Sequence, residues 1–122
     1  MTEQKFGRWV ERYKRAWEKK DADLAASLFT GDIEYRETPF DEPAVGSEGV
    51  RRYWREATAD QEDILFTYSN LLFQRDCGAL QWECTYRRKE KNTQITVNGA
   101  MVLRFQGELA SYFREWWHRH EA

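Results

Sequence analysis

Phe6, Trp9, Val10, Tyr13 and Trp17 recur at the spacing of one stripe of an amphipathic helix, while Arg8, Glu11, Arg12, Lys14, Arg15, Glu18 and Lys19 fill the opposite face. Asp21 is placed to cap a second, short helix over Asp23–Phe29, and Gly31 is placed to end it. Ile33, Tyr35 and Glu37 alternate with Glu34 and Arg36, which predicts a strand over 32–37. Pro39, Pro43 and Gly46 mark a loop, after which Ser47 would cap a third helix with the stripe Val50, Tyr53, Trp54 and Ala57. The second half holds four β-patterned runs near 62–75, 79–89, 94–105 and 108–118, with turn signals at Asp76–Gly78, Lys91–Asn92 and Gln106–Gly107. Connections this short imply an antiparallel meander. The predicted fold is α+β, ordered α-α-β-α-β-β-β-β over residues 1–122 as one domain. Its curved antiparallel or mixed sheet forms a cone wrapped around three N-terminal helices, with a cavity between the layers.

Composition makes this core feasible. Hydrophobic residues are only 41% and charged residues 33%, but Trp 6, Tyr 6 and Phe 7 supply the bulk that the aliphatic residues do not. So many aromatics exclude disorder for most of the chain. The longest uncharged apolar stretch, Gly99–Leu103, is far short of the ~20 residues of a membrane span. With 19 basic and 21 acidic residues interspersed, net charge -2, no cationic face for nucleic acid is evident. Two cysteines, Cys77 and Cys84, without metal-type spacing, and a charged amphipathic start without a secretory leader, read as reduced thiols in a cytoplasmic protein.

The order of the motifs Trp9-Val10-Glu11-Arg12-Tyr13, Lys20-Asp21-Ala22-Asp23-Leu24, Leu28-Phe29, Gly31-Asp32-Ile33-Glu34-Tyr35-Arg36-Glu37, Val45-Gly46, Tyr53-Trp54, Cys77-Gly78-Ala79 and Val102-Leu103-Arg104-Phe105 covers nearly the whole chain. In that order it resembles the nuclear transport factor 2-like superfamily, in its SnoaL-like and ketosteroid-isomerase-like branches. The resemblance implies a cofactor-independent domain that commonly dimerises through the outer sheet face. In the isomerase branch a tyrosine stands eight residues before the Asp of the helix-loop-helix and a carboxylate base sixteen after it. Tyr13 and Glu37 hold those places relative to Asp21. The branch's third catalytic group, a protonated acid on the strand ending in Arg-Phe, is Met101 here. Losing one oxyanion donor costs roughly 10²–10³ in rate, which argues against authentic steroid isomerisation.

Period-2 alternation assigns the faces. With Glu37 inward, Tyr35 is inward, as are Leu80, Trp82 and Cys84 on the next runs and Val97, Gly99 and Met101 on the one after. The expected pocket joins these to Tyr13, Trp17 and Trp54, with Arg114 and Trp116 of the last run at its mouth; Phe113 and Trp117 would then face a second copy of the chain. Glu37 is its one expected ionisable group, with a pKa raised from about 4.3 toward 6–7 by apolar surroundings. The predicted ligand is a small, largely hydrophobic molecule, on which Glu37 moves a proton while Tyr13 holds the developing oxyanion, as in isomerase, dehydratase or cyclase chemistry. The rival reading is a non-catalytic ligand-binding or dimeric scaffold protein. No metal or organic cofactor is implied; His118 and His120 have no third ligand at matching spacing.

Overall fold

The computed structural model describes residues 1–122. Helix α1 (Glu3–Glu18) begins where Thr2 Oγ1 accepts from the Lys5 N–H at 3.1 Å, satisfying one orphan donor of the first turn. Its apolar stripe is buried at Phe6, Trp9, Val10 and Tyr13. Helix α2 (Ala22–Ser27) starts on Asp21, whose carboxylate accepts from the Leu24 N–H at 3.0 Å. It ends before Gly31 is reached, because the last strand captures the chain. The Ala110 N–H donates to Leu28 O at 3.0 Å and the Thr30 N–H donates to Ala110 O at 2.9 Å.

Strand β1 is Glu34–Arg36, shorter than the 32–37 expected, and is followed by a two-residue strand β2 (Ala44–Val45) too short to show in the sequence pattern. Helix α3 (Gly46–Thr58) is capped by Val45 with no side-chain bond, so Ser47 is not its cap. The Gly46 N–H is drawn instead to Ile33 O at 2.8 Å, with φ of 72°, a backbone conformation that glycine adopts without steric cost.

Four long strands complete the chain: β3 (Gln61–Gln74), β4 (Cys77–Arg88), β5 (Thr93–Gln106) and β6 (Leu109–Glu121). The β3–β4 turn is Arg75–Asp76, with φ of 51° and 61°, one step earlier than the glycine suggested. Gly78 lies within β4, where a Cβ would come within 2.5 Å of the Phe6 ring. The sheet order is β2-β1-β6-β5-β4-β3, with β1 parallel to β6 and all other pairs antiparallel. The curved, unclosed sheet and three helices make the α+β cone that the sequence predicts.

The register of β6 decides the site. At the turn Gln106 pairs with Leu109 and Phe105 with Ala110; the register then slips, and Arg104 pairs with Tyr112, Leu103 with Phe113 and Met101 with Glu115. One extra residue in β6 moves every later side chain to the other face. Phe113, Glu115 and Trp117 therefore share the concave side with buried Leu103 and Met101, while Arg114 and Trp116 point outward. This corrects the expectation that Arg114 and Trp116 line the cavity and that Phe113 and Trp117 form the outer face. The parallel pairing of Tyr35 with Phe113 fixes the same phase from the other edge of β6.

Candidate functional site

At one end of the cone lies a cavity of about 330 Å³. Tyr13 and Trp17 reach it from α1, Tyr53, Trp54, Ala57 and Thr58 from α3, and Tyr35 and Glu37 from β1 and the residue just beyond it. Gln61 enters at the start of β3, Trp82 and Tyr86 from β4, Val97 from β5, and Glu115, Trp117 and Arg119 from β6. The walls hold one another in place. The Trp17 indole N–H donates to Gln61 Oε1 at 2.9 Å, and its ring packs 5.9 Å from Trp54 and 5.5 Å from Trp82, centroid to centroid. Tyr13 stands edge-on to Trp54 at 5.4 Å.

Two carboxyls face this space. Glu37 is half-buried, and the loop carrying it is pinned by the Trp117 indole N–H, which donates to its main-chain carbonyl at 2.7 Å. Burial raises the Glu37 carboxyl above the ordinary range; Trp117 opposes the shift, Asp41 adds to it, and the Tyr53 hydroxyl opposes it. Glu115 is more enclosed, 6% exposed, and its Oε2 has no hydrogen-bond partner. Burial drives its carboxyl well above the ordinary range, and the charge of Glu37 pushes it further. Neither carboxylate takes part in an ion pair. Arg36, the sequence neighbour of Glu37, is bound to Glu34 instead.

The tyrosines are neutral hydrogen-bonding groups. The Tyr13 and Tyr35 hydroxyls lie 3.4 Å apart; burial raises both pKa values well above the phenol range, with the Glu115 charge adding to each shift. Burial, then the charges of Glu115 and Glu37, pushes Tyr53 up as well.

Tyr13, Trp17, Tyr35, Glu37, Trp54, Trp82 and Val97 of the expected site line the cavity together. Leu80, Cys84 and Met101 are on the concave face as alternation predicts, but they are packed into the core and do not reach the space. Gly99 does not line the cavity: a Cβ there would come within 2.3 Å of Trp116 O and 2.8 Å of Trp117 Cβ, so the glycine admits strand β6. Arg114 lies over the outward Tyr112 ring at 4.3 Å and donates to Phe113 O and Glu34 O, and Trp116 is half exposed. Glu115, Trp117, Tyr53 and Tyr86 are the principal lining residues missed. Tyr53 already stood in the α3 stripe and Tyr86 on the same alternation as Trp82, whereas Glu115 and Trp117 needed the β6 slip.

No helix is long and apolar enough to cross a membrane. A search of curated proteins returned no match. Among solved structures, a protein from Mycobacterium tuberculosis superposes with a TM-score of 0.84 at 13% identity, covering 100% of this chain and 99% of its own. An epoxide hydrolase/cyclase-like enzyme of pyran-ring formation in salinomycin gives a TM-score of 0.81 at 17% identity, covering 95% and 92%. A further M. tuberculosis protein, described as an epoxide hydrolase, gives 0.74 at 12% identity, covering 91% and 80%. The sequence profile of the SnoaL-like domain matches residues 10–113, most of the chain. The protein therefore belongs to the SnoaL-like family, within the nuclear transport factor 2-like superfamily.

Proposed function

We propose that the cavity binds a small, largely hydrophobic molecule and that its two carboxyls move protons on it, Glu37 as base and Glu115 as acid. The observation that carries this reading is the pair itself: two carboxyls of unequal burial, facing one aromatic cavity, with no ion-pair partner. Burial raises both carboxyls, and the more enclosed Glu115, raised further by the charge of Glu37, holds its proton the more firmly of the two. Glu37 would accept a proton from carbon or hydroxyl, Glu115 would give one to the oxygen that gains negative charge, and Tyr13, bonded to Tyr35, would donate a hydrogen bond to that oxygen. The reaction classes are isomerisation, dehydration and ring closure or opening, without cofactor. The solved neighbours described as epoxide hydrolases or a cyclase support the last class by analogy alone. The setting we propose is the cytoplasm, which suits two unpaired cysteines, with copies paired through the outer sheet face.

A panel of small cyclic ketones, hydroxyketones and epoxides, followed by NMR in D₂O for solvent deuterium uptake or ring opening, tests the chemistry. Glu37→Gln is expected to abolish turnover while keeping affinity within about threefold. If turnover survives the substitution, Glu37 has no proton-transfer role; if the wild type binds the panel and turns over none of it, the cavity is a binding site only.

A further inference from the structure

The cavity wall is unusual in which aromatic residues it uses. None of the seven phenylalanines and no Leu, Ile or Met reaches it; apart from Val97 and Ala57, its hydrophobic lining is Trp and Tyr. Four indoles and four phenols face the space, while Phe66 and Phe113 pack against Tyr13 in the core behind them. Trp and Tyr rings differ from aliphatic side chains in the negative electrostatic face they turn to a ligand, and Trp binds cations best of all. Inside this aromatic shell are Glu37 and Glu115, with no lysine or arginine paired to them. The one cation at the rim, Arg119, is exposed to water and lies 3.5 Å from Glu121. Glu115 Oε2 is enclosed and unpartnered, an arrangement that keeps the group protonated until a counter-charge arrives.

We infer that the molecule this cavity takes carries a positively charged nitrogen, a protonated tertiary amine or a quaternary ammonium, seated among Trp17, Trp54, Trp82 and Trp117, with Glu37 as its counter-ion and Glu115 joining it by releasing its proton to water as the cation arrives. This inference rests on the cavity being a ligand site, as proposed above, and specifies what enters it. An anionic ligand would be repelled by the Glu37 carboxylate, and a neutral one leaves that charge uncompensated; a cation satisfies the rings and the acids together. A compact ammonium with one small apolar substituent suits the ~330 Å³ available.

The test compares benzyltrimethylammonium with neopentylbenzene, its uncharged isostere of the same shape, by tryptophan fluorescence and protein-observed NMR at neutral pH. The cation is expected to bind at least about tenfold more tightly. Glu37→Gln, which keeps shape, should remove most of that preference while leaving the affinity for the isostere within about threefold, and Glu115→Gln should do so to a smaller degree, because Glu115 must first give up its proton. Unchanged circular dichroism in both variants guards against misfolding. Equal affinities for the two probes would overturn the inference and leave the small-molecule reading standing. Binding of neither probe would overturn both. Preference retained in both variants would show that the carboxyls are not the counter-ions and would overturn it as stated.

Discussion

Met101 and Glu115 stand opposite each other on adjacent antiparallel strands. Cross-strand partners point to the same face of a sheet, so the methionine that occupies the isomerase-like acid position lies directly across from a carboxyl that does reach the cavity. Met101 is fully buried and does not line the space, whereas Glu115 does. An acid is thus present at the concave face, delivered by β6 instead of β5.

The folded protein holds the Glu115 proton more tightly than the unfolded chain, because burial, and then the charge of Glu37, raises its pKa. Between the unfolded value near 4.3 and the higher folded value, the native state binds more protons, so stability falls as pH rises through that window. Glu37, raised in the same direction, adds to the fall. The lowered carboxyls Glu18, Asp60 and Glu121 act only below the ordinary range, where they remove stability as pH drops. Urea unfolding at pH 5 and pH 8 should show wild type losing stability between the two, at up to about 1.4 kcal/mol per pH unit for one proton. Glu115→Gln should fall less, keeping only the Glu37 contribution, and be more stable than wild type at pH 8. A wild-type profile as flat as the variant's would place Glu115 in contact with a charge or with water.

Trp82 tests the packing that gives the cavity its walls. Its ring is stacked on Phe66 at 5.9 Å and tilted against Trp17 at 5.5 Å, with 3% exposure. Truncation to alanine removes both contacts and opens the core to the cavity, so Trp82→Ala should cost roughly 3–5 kcal/mol. Guanidinium titration reads this directly. A loss under about 1 kcal/mol would mean that the indole is not structural.

The α1 stripe, the Asp21 cap and the alternation of Leu80, Trp82 and Cys84 all follow from periodicities that tertiary structure left undisturbed. Glu37 and Tyr13 hold the places relative to Asp21 that the isomerase-like resemblance implies, and they face the same cavity. The last strand failed for a specific reason. Counting by twos from buried Ala110 leads to Tyr112, Arg114 and Trp116, and only the added residue near Ser111 makes the inward set Phe113, Glu115 and Trp117. Composition gave no warning, because both sets contain aromatic and charged residues. Likewise Ser47 looked like a cap because no local pattern reveals that Ile33 O would take the Gly46 N–H.

Gly99 and Gly31 make a matched pair of tests for the β6 approach. A Cβ at Gly99 meets Trp116 O at 2.3 Å and the Trp117 backbone and Cβ within 3.0 Å, whereas one at Gly31 meets nothing within 4 Å. Backbone cannot rotate aside as a side chain can, so Gly99→Ala must push the strands apart. Its expected cost is about 1–3 kcal/mol, with displacement of the Trp117 ring from the cavity and weaker ligand binding. Gly31→Ala should change stability by less than about 0.5 kcal/mol. Thermal melts of the two variants side by side check this, and equal shifts would contradict the close approach.

The outer face supplies the last test. Trp116 is 50% exposed and Val102 37%, on neighbouring strands of the sheet surface through which we propose that copies pair. Leaving a half-exposed indole in water is unfavourable, and burying it in a symmetric contact recovers that area on both copies at once. Because Trp116 is absent from the cavity wall, Trp116→Lys should leave monomer stability within about 0.5 kcal/mol and ligand affinity unchanged. It should shift the mass measured by light scattering from dimer to monomer at micromolar concentration, since two lysine charges would oppose each other across the axis. A dimer that withstands the substitution would place the contact on another surface; a wild-type protein already monomeric at those concentrations would remove the pairing from the account.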